Sequence, residues 1–352
     1  MARAPRSRGA DVTIRDIADE LGMSHATVSR ALHDHAAISA PTKARVREAA
    51  QRLGYIPNSG ARALRQVQSR LIGVIFPDIE NDFYSAAMAR LSRAMREAHY
   101  ELVLAVSHDD SGIEAQHVRS LREARVAGVI IAPSTHLNAA TAQLLAPLPV
   151  VQLLRCHPLL AGPVVGVDEQ LGIARGVVYL ASRGHRRIAY VGGPVALSTG
   201  LDRLAGYRDG LHKAGIAFDE SRVMLGDPRP EFGQAAIERL MQADEPPTAV
   251  LFAGSQLALG GLAAIRRLAL QVPGDLAVLG YHDPAWFAVW GSGISAIRLP
   301  VDALATHAGA TLLAMLQGGP LPAELGPAKL EPRLVLRGST RTQGPYGMAT
   351  AD

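Results

Sequence analysis

The chain has 352 residues, of which 48% are hydrophobic, 19% charged and 5% aromatic. This length suffices for two or three domains, and the apolar content excludes a largely disordered protein. No uninterrupted apolar run reaches the length of a membrane span, and the start MARAPRSRGA lacks the apolar stretch of a signal peptide. The single cysteine, Cys156, excludes an internal disulfide. We therefore expect a cytoplasmic protein.

The positive charge is concentrated in the first fifth of the chain. Residues 1–70 carry 12 Lys and Arg against 6 Asp and Glu, whereas residues 71–352 carry 24 against 26. A basic segment ahead of a near-neutral body favours an N-terminal module that binds a polyanion, joined to a larger domain with another role. The alternative is a basic surface that is merely solvated.

Two short helices separated by a tight turn are predicted in this basic segment. Thr13 begins the first helix as an N-cap, with Asp16 in the place of a capping box, and Gly22 ends it. Ser24 caps a second helix, and a third follows over about 42–53. This spacing is typical of a helix-turn-helix whose third helix closes a small bundle.

The second helix is predicted to present a polar face that suits the major groove of DNA. His25, Ala26 and Ser29 allow close approach, and Arg30 can form paired hydrogen bonds with guanine. Thr27 and the cap hydroxyl groups suit phosphate oxygens. These residues favour sequence-specific binding of double-stranded DNA.

The stretches VTIRDIADELGMSHATVSRALHD, ISAPTKARVREAAQRLGYIPN and ARALR closely resemble the headpiece and hinge of the lactose-repressor/galactose-repressor family of transcription regulators. The resemblance continues to about residue 337 and implies that His25, Ala26 and Arg30 read bases. It places further residues at or near the DNA backbone: Thr13, Ser24, Thr27, Ser29, Asn58 and Ala61.

The resemblance also implies a hinge helix from Asn58 to Gln66 that folds against its dimer mate on the minor groove. Leu64 matches the leucine that is wedged into the central base step of the DNA. The free-energy cost of unstacking this step and bending the duplex is offset by added protein–DNA contacts. The alternative is a leucine packed on its own domain. Gly60 departs from the pattern, since glycine weakens a short helix by about 1 kcal/mol relative to alanine.

The body is predicted to be an α/β domain with two doubly wound parallel sheets. Apolar runs that read as buried strands alternate with amphipathic helices, and they form two series along the chain. The strands are expected at 71–76, 102–106, 126–131, 150–154, 187–191, 249–252 and 276–279, and the helices of the first series at about 83–98, 113–124 and 138–146. Two such lobes bind ligands in the cleft between them, and the resemblance implies the scaffold shared with periplasmic sugar-binding proteins.

Four segments follow from this organisation. They are a helix-turn-helix headpiece at 1–57, a hinge and linker at 58–70, a two-lobed effector-binding and dimerisation domain at 71–340, and a disordered tail at 341–352. The tail has no leucine heptads, so a coiled-coil tetramer is not expected.

The common catalytic motifs are absent from the sequence, which argues against an enzyme. Neither a phosphate-binding loop, a dinucleotide fingerprint, a zinc-protease motif nor a nucleophile elbow occurs. His33 and His35 are interpreted as polar loop residues rather than metal ligands. We expect no cofactor and no metal.

By the resemblance, several residues would contact an effector. Phe83 and Tyr84 would supply wall or stacking contacts, and Asp168 and Arg203 would supply polar contacts, with Thr199 nearby. The alternative for Arg203 is a surface ion pair.

Two departures from the family pattern bear on the ligand. Ser255 stands after Gly254, and His282 after Gly-Tyr, where the family often has Asp. The loss of two carboxylates while Arg203 is kept favours an anionic effector such as a sugar acid, against a neutral sugar or nucleoside. Trp286 and Trp290 are interpreted either as a stacking wall or as packing residues.

The combined expectation is a ligand-responsive transcription repressor. One headpiece buries too little surface to select a single DNA site. A homodimer should therefore bind a pseudo-palindromic operator. An effector bound between the lobes would rotate them and change the hinge spacing. The alternatives are an activator or a cytoplasmic solute-binding protein on the same scaffold.

Overall fold

The computed structural model describes residues 12–55, 69–320 and 329–341. Contacts divide the chain into two compact units, with the boundary along the sequence between Gln68 and Ser69. Each unit is described by itself. The predicted hinge contacts Asn58, Ala61 and Leu64, together with Gly60, lie outside the described residues, as does the tail from 342 onward. None of the helices in the described ranges combines the length and apolar character needed to cross a bilayer.

The first unit contains the predicted helix-turn-helix. The Asp16 carboxylate accepts hydrogen bonds of 2.8 Å from the backbone and the hydroxyl of Thr13, and Gly22 ends the first helix with a φ of 63°. The Ser24 hydroxyl accepts from the backbone N–H of Thr27 at 3.1 Å and so caps the second helix. The three helices are α1 (Ile14–Leu21), α2 (His25–Leu32) and α3 (Ala40–Leu53).

Small side chains let these three helices pack closely. α3 begins two residues earlier than predicted, because Ser39 is its N-cap and Pro41 lies in its first turn, where no backbone N–H is needed. Partly buried side chains, among them Leu21 and Leu53, surround the core. The buried core residues are Ile17, Ala18, Val28, Ala31, Val46, Ala49 and Ala50. Helix α2 is thus fixed on two other helices, and its outer side is left to solvent.

The second unit is the α/β domain. Its strands β3, β4, β8 and β9 are buried along their whole length, as expected for parallel strands covered on both faces. In chain order the elements are β1 (Leu71–Phe76), α4 (Asp82–Glu97), β2 (Glu101–Val106), α5 (Ser111–Glu123), β3 (Gly128–Ile131), α6 (Ala139–Leu145), β4 (Val150–Leu153), β5 (Val164–Val167), α7 (Glu169–Ser182), β6 (Ile188–Gly192), α8 (Ser198–Lys213), β7 (Val223–Leu225), α9 (Pro230–Leu240), β8 (Ala249–Phe252), α10 (Ser255–Arg267), β9 (Ala277–Tyr281), α11 (Ala285–Val289), β10 (Ser295–Arg298), α12 (Val301–Leu316), β11 (Lys329–Leu330) and β12 (Arg333–Val335).

The strands form two sheets, and each sheet is the centre of one lobe. The described strands follow the order β11-β5-β4-β3-β1-β2 in the first sheet and β12-β10-β9-β8-β6-β7 in the second. Neighbouring strands are parallel except for the antiparallel pair β10 and β12. The strand order reverses around β1 and around β6, and ligands of such sheets bind at the carboxyl ends of the strands beside this reversal.

The chain passes between the lobes more often than two consecutive series would require. Within the described ranges it leaves the first lobe after β5, returns from β10 into α12, and leaves again between β11 and β12. α12 packs on α4 and on β3 and β4 of the first lobe, although it follows the second series in sequence. The predicted sheets are confirmed, but β5, β7, β10, β11 and β12 were not predicted, because two to four residues are too few for a periodic signal.

Candidate nucleic-acid interface and interlobe cavity

The outer side of α2 exposes the residues that the sequence assigns to base reading. His25, Ala26 and Arg30 are exposed, and the guanidinium of Arg30 has no hydrogen bond or ion pair within the described part of the chain. Thr27 is half-buried and its hydroxyl lies 2.8 Å from that of Ser24. A guanidinium that keeps its five donors unoccupied can form the paired hydrogen bonds that guanine offers in the major groove.

Ser29 lies at the border of this face rather than on it. Only 9% of its surface is exposed, because α2 turns this side toward the bundle. Thr13, exposed at the start of α1, is used by its own capping contact with Asp16. The structure therefore brings the three proposed base-reading residues together and leaves Ser29 a more peripheral place.

The basic residues of α3 are partly neutralised within the unit. The carboxylate of Asp34 lies 3.1 Å from the Lys43 ammonium and 2.9 Å from the Arg47 guanidinium. The hydrogen bond from Lys43 lowers the pKa of Asp34, and Arg47 adds to the effect. Arg52 pairs with Glu20. Two of these helix-α3 cations thus hold the loop after α2 in place.

The loop histidines make local contacts. Nδ1 of His33 lies 2.6 Å from the Ser29 carbonyl oxygen, and Nδ1 of His35 accepts a hydrogen bond from the Ala37 backbone at 3.1 Å. Among the described residues, three or more His, Cys, Asp or Glu side chains nowhere converge as a metal site would require.

A cavity lies between the two lobes, at the carboxyl ends of their strands. Its inner chamber is about 70 Å³ in volume and continues into an outer chamber of about 620 Å³. Asn81, Tyr84 and Arg155 line both chambers from the first lobe, and Pro228 and Gln256 line both from the second. The remaining residues of the inner chamber are Phe83, Leu154, Gly193, Leu197, Thr199, Gly200, Arg203, Ala253, Gly254, Ser255, Tyr281, His282 and Leu299.

Most of the residues predicted to contact an effector lie in this inner chamber, and Asp168 does not. Oδ1 of Asp168 accepts a hydrogen bond of 3.0 Å from the backbone N–H of Leu171 and caps α7. The six that line the chamber are Phe83, Tyr84, Thr199, Arg203, Ser255 and His282.

Arg203 is held by a buried carboxylate that the sequence reading missed. Its Nε and Nη2 donate to Glu169 at 2.7 and 2.9 Å, and its Nη1 donates to the Ala253 carbonyl at 2.9 Å. The guanidinium lies 4.2 Å from the ring centroid of Tyr281, whose hydroxyl also donates to Glu169. Burial opposes the charge of Arg203, but Glu169 raises the pKa of the guanidinium above its ordinary value.

The expectation of an anionic effector rested on an uncompensated Arg203, and this premise is wrong. Glu169 is 2% exposed and accepts both guanidinium hydrogen bonds, so the pair is a bidentate buried ion pair. The sequence signal was the residue after Asp168, in the first turn of α7, and Asp168 was preferred to it. Burial, with Glu169 beside it, raises the pKa of Tyr281 well above its usual range, so this ring stays neutral.

Arg155 is a second cavity residue that the sequence reading missed. It comes shortly after β4, and its Nη1 donates to Oδ1 of Asp109 at 2.7 Å. The Asp109 carboxylate also accepts from the backbone and hydroxyl of Thr135 at 3.1 and 2.8 Å. This guanidinium is therefore also paired with a carboxylate.

Ser255 and His282 line the cavity, and each has a buried polar side-chain atom without a partner among the described residues. Ser255 is 2% exposed and His282 is 9% exposed, and neither Oγ of the serine nor Nδ1 of the histidine has a hydrogen-bond partner in the described part of the chain. Burial lowers the pKa of His282, although Asp82 and Asp283 oppose the shift. The histidine also has a φ of 66°, a left-handed conformation that is uncommon for non-glycine residues.

The two tryptophans serve packing. Trp286 and Trp290 are partly buried against the hydrophobic core of the second lobe, and neither lines the cavity. Trp286 meets Phe287 edge-on at 4.5 Å between ring centroids. Their interpretation as a stacking wall is wrong.

Two family descriptions match the chain over separate stretches. Residues 13–58 match the bacterial regulatory proteins of the lacI family, and residues 177–340 match the periplasmic binding protein-like domain. These stretches fall on the helix-turn-helix and on the later part of the two-lobed body.

Relatives and solved structures match much more of the chain. The HTH-type transcriptional repressor CytR of Escherichia coli K12 is 29% identical over 94% of this chain and 96% of its own length. Catabolite control protein A of Priestia megaterium is 30% identical over 78% of this chain and 83% of its own length. A crystal structure of the Lac repressor dimer bound to operator and an anti-inducer superposes with a TM-score of 0.79 at 26% identity, covering 95% of this chain and all of that one. With its DNA-binding helix-turn-helix unit and its two-lobed body, the chain belongs to the lacI family of bacterial transcription regulators.

Proposed function

We propose that this protein represses transcription by binding a pseudo-palindromic operator as a homodimer, and that a small metabolite between the two lobes controls its operator affinity. The observation that carries the proposal is the outer face of α2, where Arg30 is exposed and has no partner within the described residues. A polyanionic duplex supplies both the acceptor edges and the charge that this face lacks.

The capped start of α2 supports the same mode of binding. Ser24 and Thr27 bring two hydroxyl groups to the N-terminus of this helix, next to His25 and Ala26. Helix N-termini and hydroxyl groups bind phosphate oxygens, and such contacts position a recognition helix before its other side chains reach base edges. The contacts of Arg30 would then set the preferred sequence.

A homodimer is supported by an exposed strand edge. β2 ends the first sheet, and Val103 and Leu104 on it are each more than one third exposed. Leu225 is similarly exposed on β7, which ends the second sheet. Open sheet edges with apolar side chains are sites of protein association. Two headpieces together bury enough surface to select a specific DNA site. The similar Lac repressor structure is itself described as a dimer bound to operator.

The interlobe cavity supports control by a small molecule. It lies at the strand ends where doubly wound sheets bind ligands, and two of its lining residues, Ser255 and His282, each have a buried polar atom that lacks a partner in the described part of the chain. A ligand that satisfies these atoms binds one arrangement of the lobes better than another, and this difference is what changes operator affinity.

Selection of genomic DNA by the purified full-length protein tests the DNA-binding part. We expect retained fragments to share a palindromic motif with half-sites about one helical turn apart. Arg30→Ala should lose the motif, whereas Arg47→Ala, whose side chain is already paired with Asp34, should retain it. The proposal is wrong if the wild-type protein and both variants retain DNA equally and without any shared motif.

A further inference from the structure

We infer that the metabolite is a compact, uncharged ring compound with a largely apolar face, which hydrogen-bonds to Ser255 and His282. The inference rests on the proposed function in taking the interlobe cavity as the effector site. It excludes sugar acids and phosphorylated compounds, and it disfavours polyols that carry hydroxyl groups on every side.

Among the described residues, the inner chamber offers an anion no guanidinium that lacks a carboxylate partner. Each of its two guanidinium groups is paired with a carboxylate, Arg203 with Glu169 and Arg155 with Asp109. An anionic ligand would have to displace a carboxylate that is already in bidentate or hydrogen-bonded geometry, and the displaced charge would remain buried. His282 adds no cation, because burial lowers its pKa and favours the neutral ring near pH 7.

We take the outer chamber, which shares five lining residues with the inner one, as the ligand's way in, and this chamber is acidic. Asp227 is paired with Arg229, but Asp78, Glu80 and Glu231 line the chamber with no ion-pair partner in the described ranges. A passage lined with one sign of charge repels ligands of the same sign and lowers their local concentration. Anions are therefore disfavoured both on entry and in the bound state.

The lining of the inner chamber is more apolar than polar, and five large side chains contribute to it. Leu154, Leu197 and Leu299 line the inner chamber with Phe83 and Tyr84. A ligand hydroxyl that faces such a wall loses its water without gaining a partner, and each loss of this kind costs about 1–3 kcal/mol. An apolar ring face avoids this cost.

The two unsatisfied atoms define what the polar edge of the ligand must offer. Nδ1 of neutral His282 accepts or donates one hydrogen bond according to its tautomer, and the Ser255 hydroxyl can do either. Both residues sit at strand ends of the second lobe, after β9 and β8, so they lie on one side of the chamber. Phe83 of the first lobe faces the His282 ring edge-on, with 6.1 Å between centroids.

A metabolite screen on the full-length protein, by thermal shift and then calorimetry, tests the inference. The library contains matched sets: adenosine with adenosine 5′-monophosphate and D-galactose with D-galacturonate, which differ in charge, and phenyl β-D-galactoside with D-galactose, which differ by an aromatic ring. We expect hits among uncharged ring compounds, with each anionic counterpart at least about tenfold weaker. Tighter binding of an anion, hits confined to polyols, or no hit among uncharged ring compounds would each overturn it.

Single substitutions then locate the bound compound. Ser255→Ala and His282→Asn should each weaken its binding about three- to tenfold, the loss of one hydrogen bond, without lowering the melting temperature of the free protein. Ser120→Ala, an exposed serine on α5, is the matched control and should leave affinity unchanged. If neither cavity variant weakens binding, the inference fails.

DNA selection without ligand separates this inference from the proposed function. A protein that selects a palindrome but binds only anions refutes the inference alone. A protein that binds an uncharged ring compound but selects no DNA motif refutes the proposed function alone.

Discussion

Arg30 and Arg203 occupy opposite electrostatic settings in the same chain. Arg30 is exposed on α2 and has no partner within the described residues, whereas Arg203 lies between the lobes with three hydrogen bonds and a ring face occupied. Both were assigned to binding from the sequence, yet only the first is available to a ligand of opposite charge. The residue type alone does not tell whether an arginine binds a ligand or stabilises the fold.

The surroundings of each guanidinium decide the outcome. A solvent-exposed guanidinium keeps its hydration until a partner arrives, and it can then exchange water for phosphate or base edges. A buried one must be compensated within the protein, since an unpaired buried charge costs several kcal/mol. Glu169 provides this compensation for Arg203, so the charge of this guanidinium is already balanced within the protein.

The largest effect is expected from breaking the Arg203–Glu169 pair. Glu169→Gln leaves a buried guanidinium without a counter-charge, and the free energy of unfolding of the larger unit should fall by about 3–5 kcal/mol. Arg203→Met should cost a similar amount because it leaves the carboxylate alone. Urea unfolding of the full-length protein, followed through the transition of the larger unit, measures both.

Arg175→Met is the control for these two variants. Arg175 pairs with Glu331 at 3.0 Å on the surface, and loss of this exposed pair should cost less than about 1 kcal/mol. Joint replacement of Arg203 and Glu169 by Met and Leu should recover much of the single-variant loss, since paired burial of charge is no more stable than apolar packing. Equal costs for Glu169→Gln and Arg175→Met would contradict the contrast between the two arginines.

The sequence predicted best what local patterns determine. Thr13, Gly22 and Ser24 act within one or two helical turns, and the structure confirms the two helices and the turn that they predict. The long apolar strands were also predicted nearly to the residue, for instance β1 and β8. In these cases the signal and the structure lie at the same place in the chain.

The sequence predicted least where partners are distant in the chain. Glu169 lies 34 residues before Arg203, and Asp109 lies 46 residues before Arg155, so no spacing rule joins them. The family often has carboxylates at the positions of Ser255 and His282. In this chain Glu169, at the start of α7, supplies a carboxylate to the site instead. β11 and β12 have only two and three residues, and they lie where the chain passes from one lobe to the other. Such short strands could not be predicted from periodicity.

Arg30→Ala should have the next largest effect, this time on DNA. Loss of a bidentate contact with guanine should reduce discrimination between operator and scrambled duplex by about 1–3 kcal/mol per half-site. Fluorescence anisotropy with both duplexes at two salt concentrations measures this discrimination separately from phosphate binding. Arg47→Ala, already neutralised by Asp34, should change discrimination little, and an equal loss in both variants would refute a base-reading role for Arg30.

A smaller effect is expected from pH through His282. Burial lowers its pKa, so the unfolded chain, with an ordinary histidine pKa near 6.5, takes up a proton before the folded protein does as the pH falls. The stability of the larger unit should therefore be full above this value and decline below it. His282→Asn, whose side chain tolerates a positive φ, should make the decline shallower between pH 7 and pH 5.

The difference between wild type and variant isolates His282 from other buried histidines. Burial also lowers the pKa values of His185 and His307, so the wild-type protein loses stability at low pH for several reasons. His307→Asn is the control for ligand binding, because the His307 ring does not line the cavity. If the stability of His282→Asn declines with falling pH as steeply as that of the wild-type protein, burial of the His282 ring is not a source of the decline.

The smallest effect is expected at the mouth of the cavity, where the contact across the lobes is neutral. Nε2 of Gln256, on α10 of the second lobe, donates to the carbonyl of Glu80 in the first lobe at 3.0 Å. One hydrogen bond between uncharged groups contributes about 0.5–1.5 kcal/mol, so Gln256→Ala should weaken ligand binding about three- to tenfold through a less stable closed arrangement. Gln116→Ala, at an exposed site on α5, should leave it unchanged. Calorimetry with a ligand from the screen measures this change, and an affinity that stays equal to the wild-type value would show that the Gln256 contact does not stabilise the closed arrangement.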